Sequence, residues 1–274
     1  MPLVAMTREM GSLGMDVAKI VATELKIPVV YHEIIDHLAD KMRLRRSHVK
    51  QLLDGKASLF DRLTADQTSM SIYTTDEMLQ LASEGAVMRG WGAAQLLTPI
   101  KHAIRVRVCA PMELRVRRMM ERLKSDDRDA VTAEIERSDE AQDAIVKRHF
   151  GVDWRDPAGY DLSLNTERVS VEQCADEILR LAKRPEFRET EESRTALLDL
   201  TLIAKTRAAL RADPATRSTS VVVGASAGMV RLEGVVPGRN ELKAVERVVK
   251  SVPGIKSLKN ELRATSEIHT PMGD

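Results

Sequence analysis

The sequence predicts an α/β fold, a mostly parallel sheet covered by helices on both faces, followed by a smaller α/β module. Three observations carry this. Short apolar runs alternate with amphipathic stretches over residues 1–185, the pattern of repeated βαβ units. A glycine-containing turn joins the first run to the first helix. A polar, acidic segment, PEFRETEES at 185–193, then breaks the apolar periodicity before a helix-strand-strand-helix-strand pattern begins. With 274 residues the chain has room for two domains, since one domain is commonly about 100–150 residues.

In order, residues 3–6 are a first strand and 8–14 a turn. Residues 15–25 are a helix, with Val17, Ile20, Val21 and Leu25 at helix-face spacing. Residues 27–31 form a second apolar run, followed by helical segments from 32 into the sixties and again over 74–81. Residues 86–88 are a strand before Gly90-Trp91-Gly92, and 93–97 a helix. Residues 104–109 alternate Ile104, Val106 and Val108 with Arg105 and Arg107, as a strand with one partly exposed face does. Residues 112–150 are helical except for a break near 125–128. A strand at 160–164, packed by Trp154 and Tyr160, and a helix at 171–182 close the domain. Beyond the linker, 197–210 is a helix, 220–223 and 229–236 are a hairpin around a turn at 224–228, 241–252 is a helix and 256–262 a strand. The expected division is 1–185, a linker at 186–199, a module at 200–266 and a frayed tail at 267–274.

Composition excludes several classes. Lys plus Arg number 42 and Asp plus Glu 41, so no global field draws the chain to nucleic acid or membrane, although 201–274 holds 12 basic and 7 acidic residues. Aromatic residues are 3%, too few for a base-stacking surface. No apolar run approaches the ~20 residues of a membrane helix and the amino terminus lacks signal-peptide order, so a cytosolic location is expected. Cys109 and Cys174 are expected as reduced core thiols. The six histidines include no H-E-x-x-H pattern, and no G-x-S-x-G elbow is present. His32 and Asp36 lie four apart, the spacing of a surface hydrogen bond. Lys41, Arg43, Arg45, Arg46 and Lys50 form a basic helical face, either solvated or facing an anionic partner.

The chemistry concentrates at Thr7-Arg8-Glu9-Met10-Gly11-Ser12-Leu13-Gly14-Met15-Asp16. A strand that runs through a glycine turn into a helix places free backbone N–H groups and the helix dipole where an anion can sit. The strict G-x-x-x-x-G-K-[ST] pattern is absent: Met15 follows Gly14, and Asp16 stands near the position of the magnesium-binding hydroxyl. Close backbone approach makes Gly14 a test position. Arg115, Arg118 and Arg122 share one helix face and read either as an anion clamp or as a solvated face paired with Glu113 and Glu121.

TREMGS with its following helix and IPVVYHEII, VMRGWGAAQLL, CAPMELRVRRMMERL and HFGVDWRDPAGYDLSLNT resemble the cytidylate-kinase-like family, a branch of the P-loop nucleoside monophosphate kinases, over about residues 1–182. The resemblance implies a P-loop kinase-like three-layer sheet. It also implies a nucleotide site with Arg8, Gly11, Ser12, Gly14, Asp16, Arg115, Arg118 and Arg122 near the phosphates, and Mg at Asp16 with ATP or another nucleotide. The family usually has Gly-Ser-Gly-Gly-Arg in the loop, where this chain has Gly11-Ser12-Leu13-Gly14-Met15. Trp91 occupies the arginine of its Gly-Arg-Gly segment. Ser138 to Asp143 lack the arginines of the family's lid, leaving Arg137 just before them. Since phosphoryl transfer depends on positioned positive charge, these losses predict weak or absent kinase activity and a regulatory role.

Residues 202–264 resemble a BON domain, a module of bacterial osmotic-stress and transport-associated proteins, through ALRADP, MVRLEGVV and above all VPGIKSLKNEL. This resemblance implies a sensor or docking module for an ion, an anionic surface or a protein, without catalytic residues of its own. A homo-oligomer is compatible with it. The alternatives are an active CMP-type kinase using ATP and Mg, and a scaffold that binds no nucleotide.

Overall fold

The computed structural model describes residues 1–42, 44–53 and 66–265. The chain divides into two compact units, residues 1–65 with 84–190, and residues 66–83 with 191–274.

The first unit is built on a five-stranded parallel sheet, ordered β2-β3-β1-β4-β5. Its strands are β1 (Leu3–Arg8), β2 (Val29–Val30), β3 (Val87–Arg89), β4 (Ala103–Cys109) and β5 (Leu162–Asn165). β1 lies at the centre, with Met6 opposite both Arg89 of β3 and Val106 of β4. All four pairings are parallel. Helix α1 (Gly14–Leu25) returns the chain from β1, and α2 (His32–Met42) and α3 (Arg46–Leu53) follow β2. Arg46 pairs with Asp36 on the exposed surface of α2 and α3; the side chain of His32, of the expected His32–Asp36 pair, lies outside those described. Arg43, of the basic cluster, lies outside the described residues, as does the end of the helical stretch expected in the sixties.

The core follows the alternation of the strands. Val4, Met6, Ile104, Val106 and Val108 pack against Val17, Val21, Cys174 and Ile178. The last two belong to α8 (Val171–Ala182), whose Ser170 and Gln173 form a capping box. Both thiols are free, Cys174 buried and Cys109 half-buried, and burial pushes both up from the ordinary range. Trp154 and Tyr160 pack beside β5 as expected, the Tyr160 hydroxyl donating to the Trp154 carbonyl at 2.6 Å.

The expected division of the chain differs from the structure in two places. The region set aside as linker, 186–199, is helical from residue 191: α9 (Glu191–Ala212) is one 22-residue helix. Its early turns belong to the second unit because the Asp199 carboxylate accepts from the amides of Ala227 and Gly228 at 2.7 and 2.8 Å. Those two residues, at φ +51° and +85°, form the two-residue turn between β6 (Val222–Ser226) and β7 (Met229–Val236), tighter than the five-residue turn expected. The second difference is α4 (Gln67–Ala82), which falls within the stretch resembling the kinase family but packs on α9. Arg211 bonds Asp66 and Ser69 at 2.6 and 2.7 Å, and Ser83 lies 3.3 Å from the Thr201 hydroxyl. Helix α10 (Arg239–Lys250) and β8 (Ser257–Ala264), parallel to β7, complete a three-stranded sheet around Val230, Leu232, Val245, Val249 and Leu262. The tail at 267–274 lies outside the described residues.

A fragment ending at residue 185 therefore keeps α4 and loses α9. We expect it to bind a hydrophobic dye and to unfold at a lower temperature than the full chain, as read by dye fluorescence and thermal melting; equal dye binding and equal melting would refute the packing of α4 on α9.

Candidate functional site

The site is at the carboxy-terminal ends of β1 and β3, where an open parallel sheet places its ligand crevice. After Arg8 the chain turns through residues 9–13, with Gly11 at φ +81° and Leu13 at φ +62°, into α1, whose amino terminus has no side-chain cap. Helix α6 (Met112–Leu123) and helix α7 (Arg128–Phe150), packed through Val116, Met119, Val131 and Ile135, lie against this loop and take its Met10 into their cluster.

The loop is held by its carbonyls. Arg115 Nε donates to Met10 O at 2.8 Å. Arg118 Nη1 approaches Gly11 O at 3.5 Å, and the Thr166 hydroxyl donates to Ser12 O at 2.9 Å. A trans peptide sets N–H opposite to C=O, so the Gly11 amide points away from Arg115 and the Leu13 amide away from Thr166. Among the described residues no acceptor bonds the amides of Leu13, Gly14 or Met15, the arrangement in which a helix amino terminus attracts an anion. Ser12 is fully buried, and its hydroxyl has no partner among the described residues.

Two of the three α6 arginines expected near the phosphates have other partners. Arg115, 3% exposed, gives both terminal nitrogens to Asp139, at 2.9 and 2.8 Å. Its Nη1 lies 3.6 Å from Glu9, which also accepts from Arg107 at 2.6 Å and from the Ala110 amide at 3.2 Å. Arg118 is spent on Thr166, at 2.9 Å to the hydroxyl and 2.8 Å to the carbonyl, and burial, with the nearby Arg117 charge, lowers its pKa. Arg122 is exposed in the last turn of α6 and has no contact with the loop among the described residues. Arg137 is exposed and pairs with Glu134. Arg8 lines a cleft of about 110 Å³ with Thr7, Tyr31, Arg89, Ser138, Asp139 and Trp154 among its walls.

Trp91, in the place of the family arginine, sits at φ +43° and is 8% exposed. Its ring packs 5.1 Å from His149 and 6.1 Å from Phe150 at the end of α7. Burial and the Arg148 charge push the His149 pKa down from its ordinary value. Glu9, Arg89, Arg107, Asp139 and Thr166 were not singled out by the sequence reading. Each lies within a stretch quoted above, Glu9 in the loop, Arg89 in VMRGWG, Arg107 in the strand at 104–109, Asp139 within Ser138 to Asp143 and Thr166 at the end of HFGVDWRDPAGYDLSLNT.

Both loop glycines are demanded by the protein itself. A Cβ at Gly11 would stand 2.8 Å from Arg115 O; one at Gly14 would stand 2.7 Å from Arg8 Cβ and 3.3 Å from Val108 Cβ. Bulk at Gly14 thus meets a packing requirement between β1, β4 and α1 in addition to any ligand it would block.

A central parallel sheet with a phosphate-type loop after β1 and a helical pair beside it defines a P-loop kinase-like unit. Residues 3–168 match the sequence model of the Cytidylate kinase-like family, and residues 199–266 match that of the BON domain. The chain belongs to the cytidylate kinase-like family and carries a BON domain. Among solved structures, an uncharacterized protein from Eubacterium ventriosum has a TM-score of 0.53 at 20% identity, covering 67% of this chain and all of that one, and shares the fold. A shikimate kinase from Bacteroides thetaiotaomicron has a TM-score of 0.40 at 13% identity, over 67% of this chain and 99% of its own. The YorR protein of Bacillus subtilis, in complex with phosphorylated GDP, has a TM-score of 0.42 at 14% identity, over 69% and 99%. At these TM-scores neither of the last two bears on the argument. No curated protein sequence matches the chain.

Gly14→Ala is expected to destabilise the ligand-free protein by about 1–3 kcal/mol, the cost of overpacking a close contact. Chemical denaturation without nucleotide measures it; an unchanged midpoint would mean that α1 can move off β1 freely.

Proposed function

We propose that this chain is a nucleotide-binding regulatory protein whose kinase-like unit holds a nucleotide by its phosphates, transfers phosphate slowly or not at all, and is coupled to the BON domain as a sensor or docking module. The observation that carries this reading is the pair Arg115–Asp139. The arginine best placed beside the loop has both terminal nitrogens on an internal carboxylate, leaving it no free pair for a moving phosphoryl group. Trp91 removes a second cation, its ring packed on α7.

Binding itself rests on the backbone. The amides of Leu13, Gly14 and Met15 and the α1 dipole suit a phosphate, and Arg8 adds charge. Asp16, half-buried in the first turn of α1, suits magnesium, which takes one or two carboxylates together with substrate phosphates and water. No cluster of three or more His, Cys, Asp or Glu fit for a metal occurs among the described residues, in keeping with an ion that arrives on a nucleotide. When bound it would neutralise phosphate charge beside Asp16. The coupling draws support from chain connectivity, since α4 lies within the kinase-family match and belongs to the same unit as the BON domain. The BON partner would be an ion, an anionic surface or a protein, and the location cytosolic. No helix among the described residues is long and apolar enough to cross a membrane.

Calorimetry with the full chain should find ATP binding that weakens on removal of Mg and loses that dependence in Asp16→Ala. Labelled phosphate should pass to CMP more slowly than about 1 per second, the lower end of ordinary kinase rates. Turnover within about 1–100 per second would establish an active kinase and overturn the regulatory reading. Absence of any nucleotide binding would establish the scaffold.

A further inference from the structure

The sheet of the second unit has two edge strands, β6 and β8. β6 packs on α9, whose Asp199 holds the turn that follows it. β8 pairs with β7 along its whole length on one side, and no strand pairs with it on the other among the described residues. At eight residues, against a usual length of about five or six, it is a long edge. Such an edge presents backbone N–H and C=O groups that a further strand can take up.

The charges on β8 select the strand that fits. Its side chains alternate: Leu258 and Leu262 join the core, Ala264 is buried, and Ser257, Lys259, Glu261 and Arg263 stand on the outer face. Lys259 is 56% and Glu261 33% exposed, 2.8 Å from each other, and Arg231 of β7 reaches Glu261 at 2.5 Å. The outer face of the edge therefore carries positive, negative and positive charge in turn. Two copies of one strand related by a two-fold axis run antiparallel, and each residue meets the one equally far beyond the axis. An axis through Asn260 sets Lys259 opposite Glu261 of the second copy and Leu258 opposite Leu262 of the second copy, each pair occurring twice. Shifting the axis by one residue sets Lys259 on Lys259, or Glu261 on Glu261 with Lys259 on Arg263. Opposite charges across a strand pair stabilise it and like charges oppose it. An axis through Leu262 matches Glu261 with Arg263 but leaves residues 257–259 without a counterpart in β8, and axes nearer the ends pair fewer residues still.

We propose that β8 is a homodimer interface, pairing antiparallel with β8 of a second copy of this chain in the register centred on Asn260. The pairing would join two three-stranded sheets into one of six strands. The occupant follows from the charge pattern, which is its own complement when the strand is reversed about Asn260. The same charges guard the edge in the neighbouring registers, where like meets like, so the pairing is specific as well as favourable. The inference goes beyond the nucleotide-binding reading and stands without it, since every residue it uses lies in the second unit.

Sedimentation equilibrium of the full-length chain should give twice its 30.5 kDa mass. Lys259→Glu places Glu opposite Glu in both copies, and Glu261→Lys places Lys opposite Lys. Each variant alone should raise the dimer dissociation constant by about tenfold or more. An equimolar mixture of the two should recover the dimer, because every 259–261 pair between unlike chains is again Lys with Glu, an outcome that two misfolded variants would not produce. A wild-type chain that stays monomeric as its concentration rises overturns the proposal. So does a dimer that survives Lys259→Glu, whether or not Glu261→Lys breaks it, since that result excludes the register centred on Asn260. Single variants that dissociate and stay monomeric when mixed overturn it as well.

Discussion

The loop after β1 takes its shape from one side chain. Arg115 holds Met10 through Nε, its backbone carbonyl is where any side chain at residue 11 would collide, and its other two nitrogens are locked by Asp139. With Glu9 tied to Arg107 and approached by Arg115, a buried set of two carboxylates and two guanidiniums links β1, β4, α6 and α7. Charges this buried survive only because each is matched, and removal of one partner typically costs about 3–5 kcal/mol. The same network orients the Gly11 amide away from Arg115 and commits both terminal nitrogens of Arg115 to Asp139. The order of the loop and the engagement of Arg115 thus have a common cause.

The two family matches do not coincide with the two compact units. Residues 66–83 sit inside the kinase-family match yet pack on α9 and fall in the second unit, so the backbone passes between units near 65, 83 and 190. Asp66 shows how firmly that helix is seated. Burial pushes its carboxyl up, but hydrogen bonds from Ser69 and Arg211 win and hold it at about 2, below the ordinary 3.8. The contribution is present above the unfolded value and fades as pH falls toward 2.

Much of the fold was legible because its signals are local. The alternation of Ile104, Val106 and Val108, the break near 125–128 and the apolar face of 171–182 became β4, the α6–α7 junction and α8. What was not legible depends on partners distant in sequence. Residues 191–199 look like a linker because the polar run ETEES at 189–193 masks the role of Asp199, which appears only when Ala227 and Gly228 are folded against it. Arg115 and Arg118 have the spacing of an anion clamp, and only the three-dimensional fold brings Asp139 and Thr166 to them. Arg8, Gly11, Ser12, Gly14 and Asp16 do lie together at the end of β1, as the sequence suggests, although the glycines serve packing first.

The central claim is that Arg115, held by Asp139, is a strut for the loop and not a free phosphate ligand. Hydrogen exchange of the amides at residues 9–16 tests it most directly, comparing the full-length protein with Asp139→Asn. Loss of the charged fork should release Met10 and speed exchange in that segment by about tenfold or more, the equivalent of ~1.4 kcal/mol of local opening, while the amides of β6 to β8 exchange as before. Unchanged exchange over residues 9–16 in a folded Asp139→Asn protein would contradict the account.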